Sequence, residues 1–340
     1  MFLTEANVLH YLLQRRFADL ASVVDGAYHV CNLSRRNRNF RVTCGRREYL
    51  VKQPKKWNAP ARKTIDREAA VYWRAKSDPR LEPVRALVPE SYGYDPENSV
   101  LILEYLAEQR SLRQSRERFS PDVARLVGSV MAKFHRGMQE VSNRELFPAR
   151  KPWYLAMHQV DAEQRMEDTK GQREVVRTVQ KHRDFGPALD ALRAEWREET
   201  VFHGDWKLDN CLLSTTGARC HVIDWEMASW GDAFEDAGTL LQSYWNYWVR
   251  RPSEYSIGEI RPALRAFVEA YAEGSGGRTP AAVAARAVRF AAARMLQSAY
   301  EAVQDAEELN SDAVCLLQAG LNILTRPKWA MGEIFGPGWN

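Results

Sequence analysis

The spacing of apolar and polar positions changes character along the chain. Leu3, Val8, Leu9, Leu12 and Leu13 recur at helical spacing in residues 1–16 and predict an amphipathic helix. From 21 to 53 the runs shorten. Val23–Val30, Phe40–Cys44 and Glu48–Lys52 predict three strands, joined by polar turns at Ser34–Asn39 and Gly45-Arg46-Arg47. Ile65, Ala69, Tyr72 and Trp73 restore helical spacing and predict a helix over 61–76. Two more strands, Val84–Tyr92 and Ser99–Tyr105, flank the turn Asp95-Pro96-Glu97-Asn98. Beyond Leu106 long helical patterns dominate. The exception is 201–226, where Cys211–Leu213 and His221–Ile223 form short β-like runs around Ser214–Gly217. This order predicts an α+β chain of two lobes, β-rich over 1–106 and mostly helical over 107–340. Such a chain leaves a cleft at the junction for a ligand.

Composition narrows the partners. Of 340 residues, 45% are hydrophobic and 27% charged, as in ordinary globular proteins, which excludes disorder as the dominant state. The 19 Gly and 15 Pro follow no fixed period, so collagen-like and low-complexity chains are excluded. The net charge of +4 is too small to argue for nucleic acid as the main partner. No apolar run reaches the length of a membrane span. The Ala-rich stretch 281–296 carries Arg286, Arg289 and Arg294, which predicts a packed helix. Cys31, Cys44, Cys211, Cys220 and Cys315 are odd in number and scattered, matching neither a disulfide framework nor a zinc site. Reduced thiols and a cytoplasmic protein are expected.

The chemistry concentrates in His203-Gly204-Asp205-Trp206-Lys207-Leu208-Asp209-Asn210, followed by Ile223-Asp224-Trp225-Glu226. An Asp, an Asn five positions on, and a second Asp after the next strand suit metal-assisted phosphoryl transfer. Asp205 accepts or orients the proton of an acceptor hydroxyl. Asn210 and Asp224 offer hard oxygens to Mg²⁺, which neutralises nucleotide phosphates. Turn capping alone also uses such residues, but it does not set this spacing. Asp209 is expected only to cap the loop. Glu226 is either a further metal group or a solvated strand-end acid.

With Gly204 in place of the Arg of H-R-D-x-x-x-x-N, and Asp-Trp-Glu in place of Asp-Phe-Gly, these segments resemble the aminoglycoside phosphotransferase and choline kinase branch of the protein-kinase-like fold. The resemblance runs from Val23 to Phe290 by order of elements and is sharp over 203–240. It implies a β-rich nucleotide-binding lobe, a helical catalytic and acceptor-binding lobe, ATP, Mg²⁺ and transfer to a hydroxyl. It implies that Lys52, closing Tyr49-Leu50-Val51-Lys52, holds the α- and β-phosphates and is oriented by Glu68 from the next helix. The turn containing Ser34 and Asn37 should cover the phosphates, although it has no glycine; a plain solvated hairpin is the other reading. Backbone groups near Glu104 and Leu106 should grip adenine. Lys207 corresponds to a lysine that approaches the transferring phosphate. Asp236 should accept backbone N–H groups of the catalytic loop.

The acceptor is less constrained. Between Asn246 and Gln297 stand eight Arg against Glu254, Glu259, Glu269 and Glu273, which weighs against polycationic aminoglycosides. The acidic run Asp305, Glu307, Glu308 and Asp312 is the counterweight. The aromatic run Leu240–Trp248 is either helical core or a cage for quaternary ammonium. The segments H-G-D-W-K-L-D-N, I-D-W-E and L-Q-S-Y-W are also similar to a subgroup tied to ribosomally made peptide products of the lanthipeptide and thioamitide type. That resemblance implies phosphorylation of Ser or Thr in a precursor peptide, with a partner lyase removing phosphate. The alternatives are a small-molecule kinase, acting on an aminoglycoside, choline or another metabolite, and a catalytically silent peptide-binding scaffold.

Overall fold

The structure is a computed structural model and describes residues 1–140, 144–161 and 167–339. The chain forms two compact units. The first joins Met1–Arg110 to a returning segment, His221–Ala228; the second joins Ser111–Cys220 to Ser229–Asn340.

The first unit opens with α1 (Val8–Gln14) and α2 (Leu20–Val24). Its antiparallel sheet contains β1 (Tyr28–Asn32), β2 (Asn37–Cys44), β3 (Arg47–Pro54), β4 (Ser91–Asp95) and β5 (Val100–Glu104), in the order β1-β2-β3-β5-β4. Period-2 burial in β2 turns Phe40, Val42 and Cys44 inward, where they pack with Val8, Tyr11 and Leu12 of α1. Helix α3 (Ala59–Ser77) starts where the Asn58 carboxamide oxygen accepts the Ala61 N–H at 3.0 Å, and it buries Ile65, Glu68, Ala69 and Tyr72. The returning segment packs on it through the tight turn Trp225–Met227.

Two strand starts and one side chain depart from the pattern. The run predicted as a strand from Val23 instead ends α2, because the Asp19 carboxylate accepts the Ser22 N–H at 2.7 Å and caps a helical turn; pairing begins at Tyr28. The strand predicted from Val84 starts at Ser91, since Pro83 opens the short helix α4 (Glu82–Arg85). Trp73, which shares the helical spacing of Ile65, Ala69 and Tyr72, is 57% exposed. The Asp95 turn forms as expected, with its carboxylate accepting the Glu97 and Asn98 N–H groups.

Strands β6 (Gln109–Ser111) and β9 (Cys220–Val222) lie where the chain passes between units. In the second unit come α5 (Pro121–Met138), α6 (Lys170–Lys181), α7 (Phe185–Ala194), β7 (Thr200–Phe202), β8 (Cys211–Ser214) and β10 (Ser229–Gly231). Strands β7 and β10 pair antiparallel. Helices α8 (Ala233–Arg250), α9 (Ile257–Gly274), α10 (Pro280–Ala302), α11 (Ser311–Thr325) and α12 (Pro327–Phe335) follow. The Ala-rich stretch is the packed α10, lying against α8 and α11. Its small side chains let helices approach closely. The same closeness explains Gly238 on α8, where a Cβ would lie 2.5 Å from the Phe290 Cβ and 2.7 Å from the Ala291 backbone nitrogen.

Among the described residues no helix is long and apolar enough to cross a membrane. No disulfide joins Cys31, Cys44, Cys211, Cys220 or Cys315.

Gly238→Ala should destabilise the second unit by ~1–3 kcal/mol through overpacking of α8 on α10. Thermal unfolding followed by circular dichroism checks this; an unchanged midpoint would mean that the helices give way at no cost.

Candidate functional site

In the first unit, the pairing of β3 with β2 and β5 fixes Lys52, which stands opposite Asn39 on one side and Leu101 on the other. Its ammonium is buried and donates to both Glu68 carboxylate oxygens, at 2.8 and 2.7 Å, and to Asp224 Oδ1 at 2.9 Å. Glu68 is fully buried on α3 and also accepts from the Tyr72 hydroxyl at 3.3 Å. Asp224 has a left-handed backbone, φ 70° and ψ 53°, unusual for a residue other than glycine and common where function imposes strain. One turn on, Glu226 is buried and accepts from the Asn37 amide at 2.7 Å and from Arg36 at 3.5 Å. So Lys52, Glu68 and Asp224 meet, and Asn37 meets Glu226.

The other nucleotide-side residues hold their own loops. The Ser34 hydroxyl accepts the Asn39 N–H at 3.1 Å, while the Ser34 N–H donates to Asn32 Oδ1 at 2.9 Å. The Glu104 N–H donates to the Glu90 carbonyl at 2.8 Å, and the Leu106 carbonyl accepts the Gln109 N–H at 3.1 Å. These contacts close the turn and the end of β5.

Charge in this cluster is uneven. Burial alone would lower the pKa of Lys52, but the pull of Glu68 and Asp224 outweighs it and holds the ammonium charged, above its ordinary range. Burial pushes Glu68 up to about 7 against the attraction of Lys52, and the Asp224 and Glu226 carboxylates add to the rise. One buried ammonium therefore serves two carboxylates, with a third close by. Oxygen donors with surplus negative charge suit a hard divalent cation. Among the described residues no group of three His, Cys, Asp or Glu could hold a metal unaided.

In the second unit a different carboxylate organises the loop after β7. Asp236, buried on α8, accepts the His203 N–H at 2.7 Å, the Gly204 N–H at 2.9 Å and the His135 imidazole at 2.9 Å. Gly204 has φ 79°, a conformation its neighbours would adopt only at a cost. The Asn210 amide reaches back to the Asp205 carbonyl at 2.9 Å and to Asp205 Oδ2 at 3.3 Å. The Ser243 hydroxyl accepts the Leu208 N–H at 3.1 Å. The loop is thus tied from both sides, with Asn210 Oδ1 left as an oxygen donor.

Asp205 carries two cations. Lys207 Nζ donates to Oδ2 at 2.6 Å, and Arg294 donates to Oδ1 at 2.9 Å. Arg294 is buried on α10. The sequence places it among the basic residues of the acceptor side without distinguishing it, because its 89-residue separation from Asp205 leaves no local signal. His135 was equally hidden, a lone histidine on the apolar face of α5. Asp209, expected to cap the loop, pairs with Arg113 at 3.1 Å. Tyr244 and Trp245 of the aromatic run are core, whereas Tyr247 is half-buried beside a surface cavity.

Glu235 lies beside Asp236. Burial, reinforced by Asp236, pushes its carboxyl up to about 8, and the Tyr154 hydroxyl donates to Oε1 at 3.1 Å. The folded chain then keeps a proton that the unfolded chain has lost. Stability should fall as pH rises from the ordinary carboxylate value of 4.5 towards about 8. Glu235→Gln should flatten the pH dependence of the thermal midpoint across that window. Parallel curves for the two proteins would show that Glu235 is ionised when folded.

Residues 30–286 match the phosphotransferase enzyme family, APH. No curated protein matches the chain. Among solved structures, an ethanolamine kinase of Plasmodium vivax has TM-score 0.64 at 12% identity, covering 95% of this chain and 88% of its own. A choline/ethanolamine kinase family protein of Mesorhizobium loti has TM-score 0.54 at 19% identity, covering 95% and 97%. An amicoumacin kinase solved with AMP-PNP and Ca²⁺ has TM-score 0.57 at 13% identity, covering 94% and 96%. At these identities the structures share the kinase-like fold; the family match covers most of the chain, which belongs to the phosphotransferase enzyme family and is an ATP-dependent phosphotransferase.

Proposed function

We propose that the protein transfers the γ-phosphate of Mg²⁺·ATP to the hydroxyl of Ser or Thr in a peptide. The observation that carries the phosphotransferase chemistry is the shared ammonium of Lys52, held by Glu68 and Asp224. A lysine so placed presents a compact charge to the α- and β-phosphates. Asp224 and Asn210 supply oxygens for Mg²⁺, and Glu226 supports the metal side while steadying the Ser34–Asn37 turn through Asn37. When bound, the metal neutralises phosphate charge. Backbone groups near Glu104 and Leu106 bind the base.

Asp205 accepts the proton of the acceptor hydroxyl. The hydroxyl oxygen forms a bond to the γ-phosphorus as the bond from that phosphorus to the bridging oxygen of ADP breaks, and ADP carries away the electron pair. Lys207 lies beside Asp205 and stabilises charge on the phosphoryl group in flight. Arg294 is a positioning residue: it holds Oδ1 of Asp205, while Oδ2 accepts from Lys207 and Asn210. The 1–106 and 107–340 division assigns nucleotide binding to the first part and chemistry to the second.

A peptide acceptor is supported by the polar surface around Asp209 and Arg113, which departs from the mostly apolar lining of small-molecule pockets. In the peptide-product setting a partner lyase would eliminate the phosphate to leave a dehydroamino acid. The specific observation favouring a small-molecule hydroxyl instead is the naming of the structural neighbours, which are kinases of ethanolamine and amicoumacin.

Asp205→Asn should lower transfer ~10²–10⁴-fold while the fold survives. Arg294→Ala should lower kcat with KM for ATP unchanged, with Arg294→Lys recovering part of the loss. Mass spectrometry of Ser- and Thr-containing peptides and of small hydroxyl acceptors incubated with Mg²⁺·ATP measures both effects. Full activity in Asp205→Asn would refute the assignment.

A further inference from the structure

Two adjoining cavities of about 550 and 350 Å³ open on the second unit and share Arg113, Asp209, Ser243, Asn246 and Arg250. The smaller reaches Lys207 and Arg294, the two cations that hold Asp205. The larger extends away to Arg118, Arg251 and Tyr255. The reacting end and the far end therefore belong to one run of surface.

The far end is rich in arginine. Among the described residues, Arg113, Arg118, Arg250 and Arg251 line the larger cavity against Asp209 and Asp312. Arg113 is paired with Asp209 at 3.1 Å, and Arg250 with Asp312. These pairs fix two of the four guanidinium groups in place. The other two have donors to spare. Arg118 gives one nitrogen to the Ser115 carbonyl at 2.8 Å and makes a 3.5 Å contact with the Tyr255 hydroxyl. Its Nε is buried without a hydrogen-bond partner among the described residues. Phe119 and Tyr247 lie under its guanidinium, each ring centre 5.3 Å away, and hold the fork in place. Arg251 meets Glu254 at 3.5 Å with both side chains mostly exposed, a weak pair that a better acceptor displaces.

We infer that Arg118 and Arg251, with the paired Arg113 and Arg250, form an anion subsite that receives the carboxylates of an acidic peptide whose Ser or Thr lies at Asp205. Arginine forks match carboxylates with two parallel hydrogen bonds, and arginine clusters commonly read acidic segments. The same charges repel a polycationic drug. The open, polar run suits an extended chain with carboxylates some residues from the hydroxyl. This inference rests on the phosphotransferase reading, since it takes Asp205 as the reacting end.

The test is direct binding, independent of transfer. Two labelled synthetic peptides, with Ala in place of the target Ser, carry either Glu or Gln within a few residues on both sides. Fluorescence anisotropy on the full chain should show the Glu peptide binding about tenfold tighter at low ionic strength, with the advantage shrinking as salt screens it. Arg118→Glu and Arg251→Glu should each remove the advantage while leaving the thermal shift caused by Mg²⁺·ATP unchanged. Should Arg118→Glu fold poorly, the exposed Arg251→Glu carries the test. Equal binding of the two peptides, or an advantage that survives both substitutions, overturns the inference. So does turnover of a small anionic alcohol when neither peptide binds. Failure of the phosphotransferase reading would appear separately, as no Mg²⁺·ATP shift in the unaltered protein.

Discussion

One buried ammonium answering to two carboxylates sets the terms for the first unit. Lys52 cannot be buried alone, because an isolated charge taken from water costs several kcal/mol. Glu68 and Asp224 offset that cost, but they leave the cluster with more negative than positive charge. Glu226 adds to the surplus and, among the described residues, is met by Asn37 and the exposed Arg36. The arrangement is stable enough to form and electrostatically incomplete. A divalent cation with its phosphates would complete it, and the Asp224 carboxylate of the cluster stands on a left-handed backbone.

The second unit solves a different problem with the same tool. The loop that carries Asp205 and Asn210 has backbone N–H groups pointing inward, and buried N–H groups need partners. Asp236 takes two of them and is braced by His135, which in turn meets Tyr271 at 2.9 Å. The close packing of α8 on α10 then brings Arg294 to Asp205. The position of the Arg294 side chain thus depends on a glycine about half a helix turn beyond the carboxylate that holds the loop.

Much of this was legible in the chain. The spacing of Asp205 and Asn210 is local, and the two side chains meet; a lysine at a strand end followed by a glutamate on a helix is local too, and they pair. The strand-to-helix change of texture carried the α+β class. Boundaries failed where helix-start residues overrode propensity: the Asp19 cap made a helix of a valine-containing run, and Pro83 in the first turn opened a short helix before β4. Arg294 and His135 were invisible for another reason. Their partners lie 89 and 101 positions away, and no periodicity encodes a pairing at that range.

Calorimetric titration of ATP into the protein, with and without Mg²⁺, tests the central claim most directly when repeated on Asp224→Asn. The account predicts that Mg²⁺ markedly tightens binding to the unaltered protein and that this gain disappears in the variant. Binding that ignores Mg²⁺, or a gain fully retained in Asp224→Asn, would contradict it.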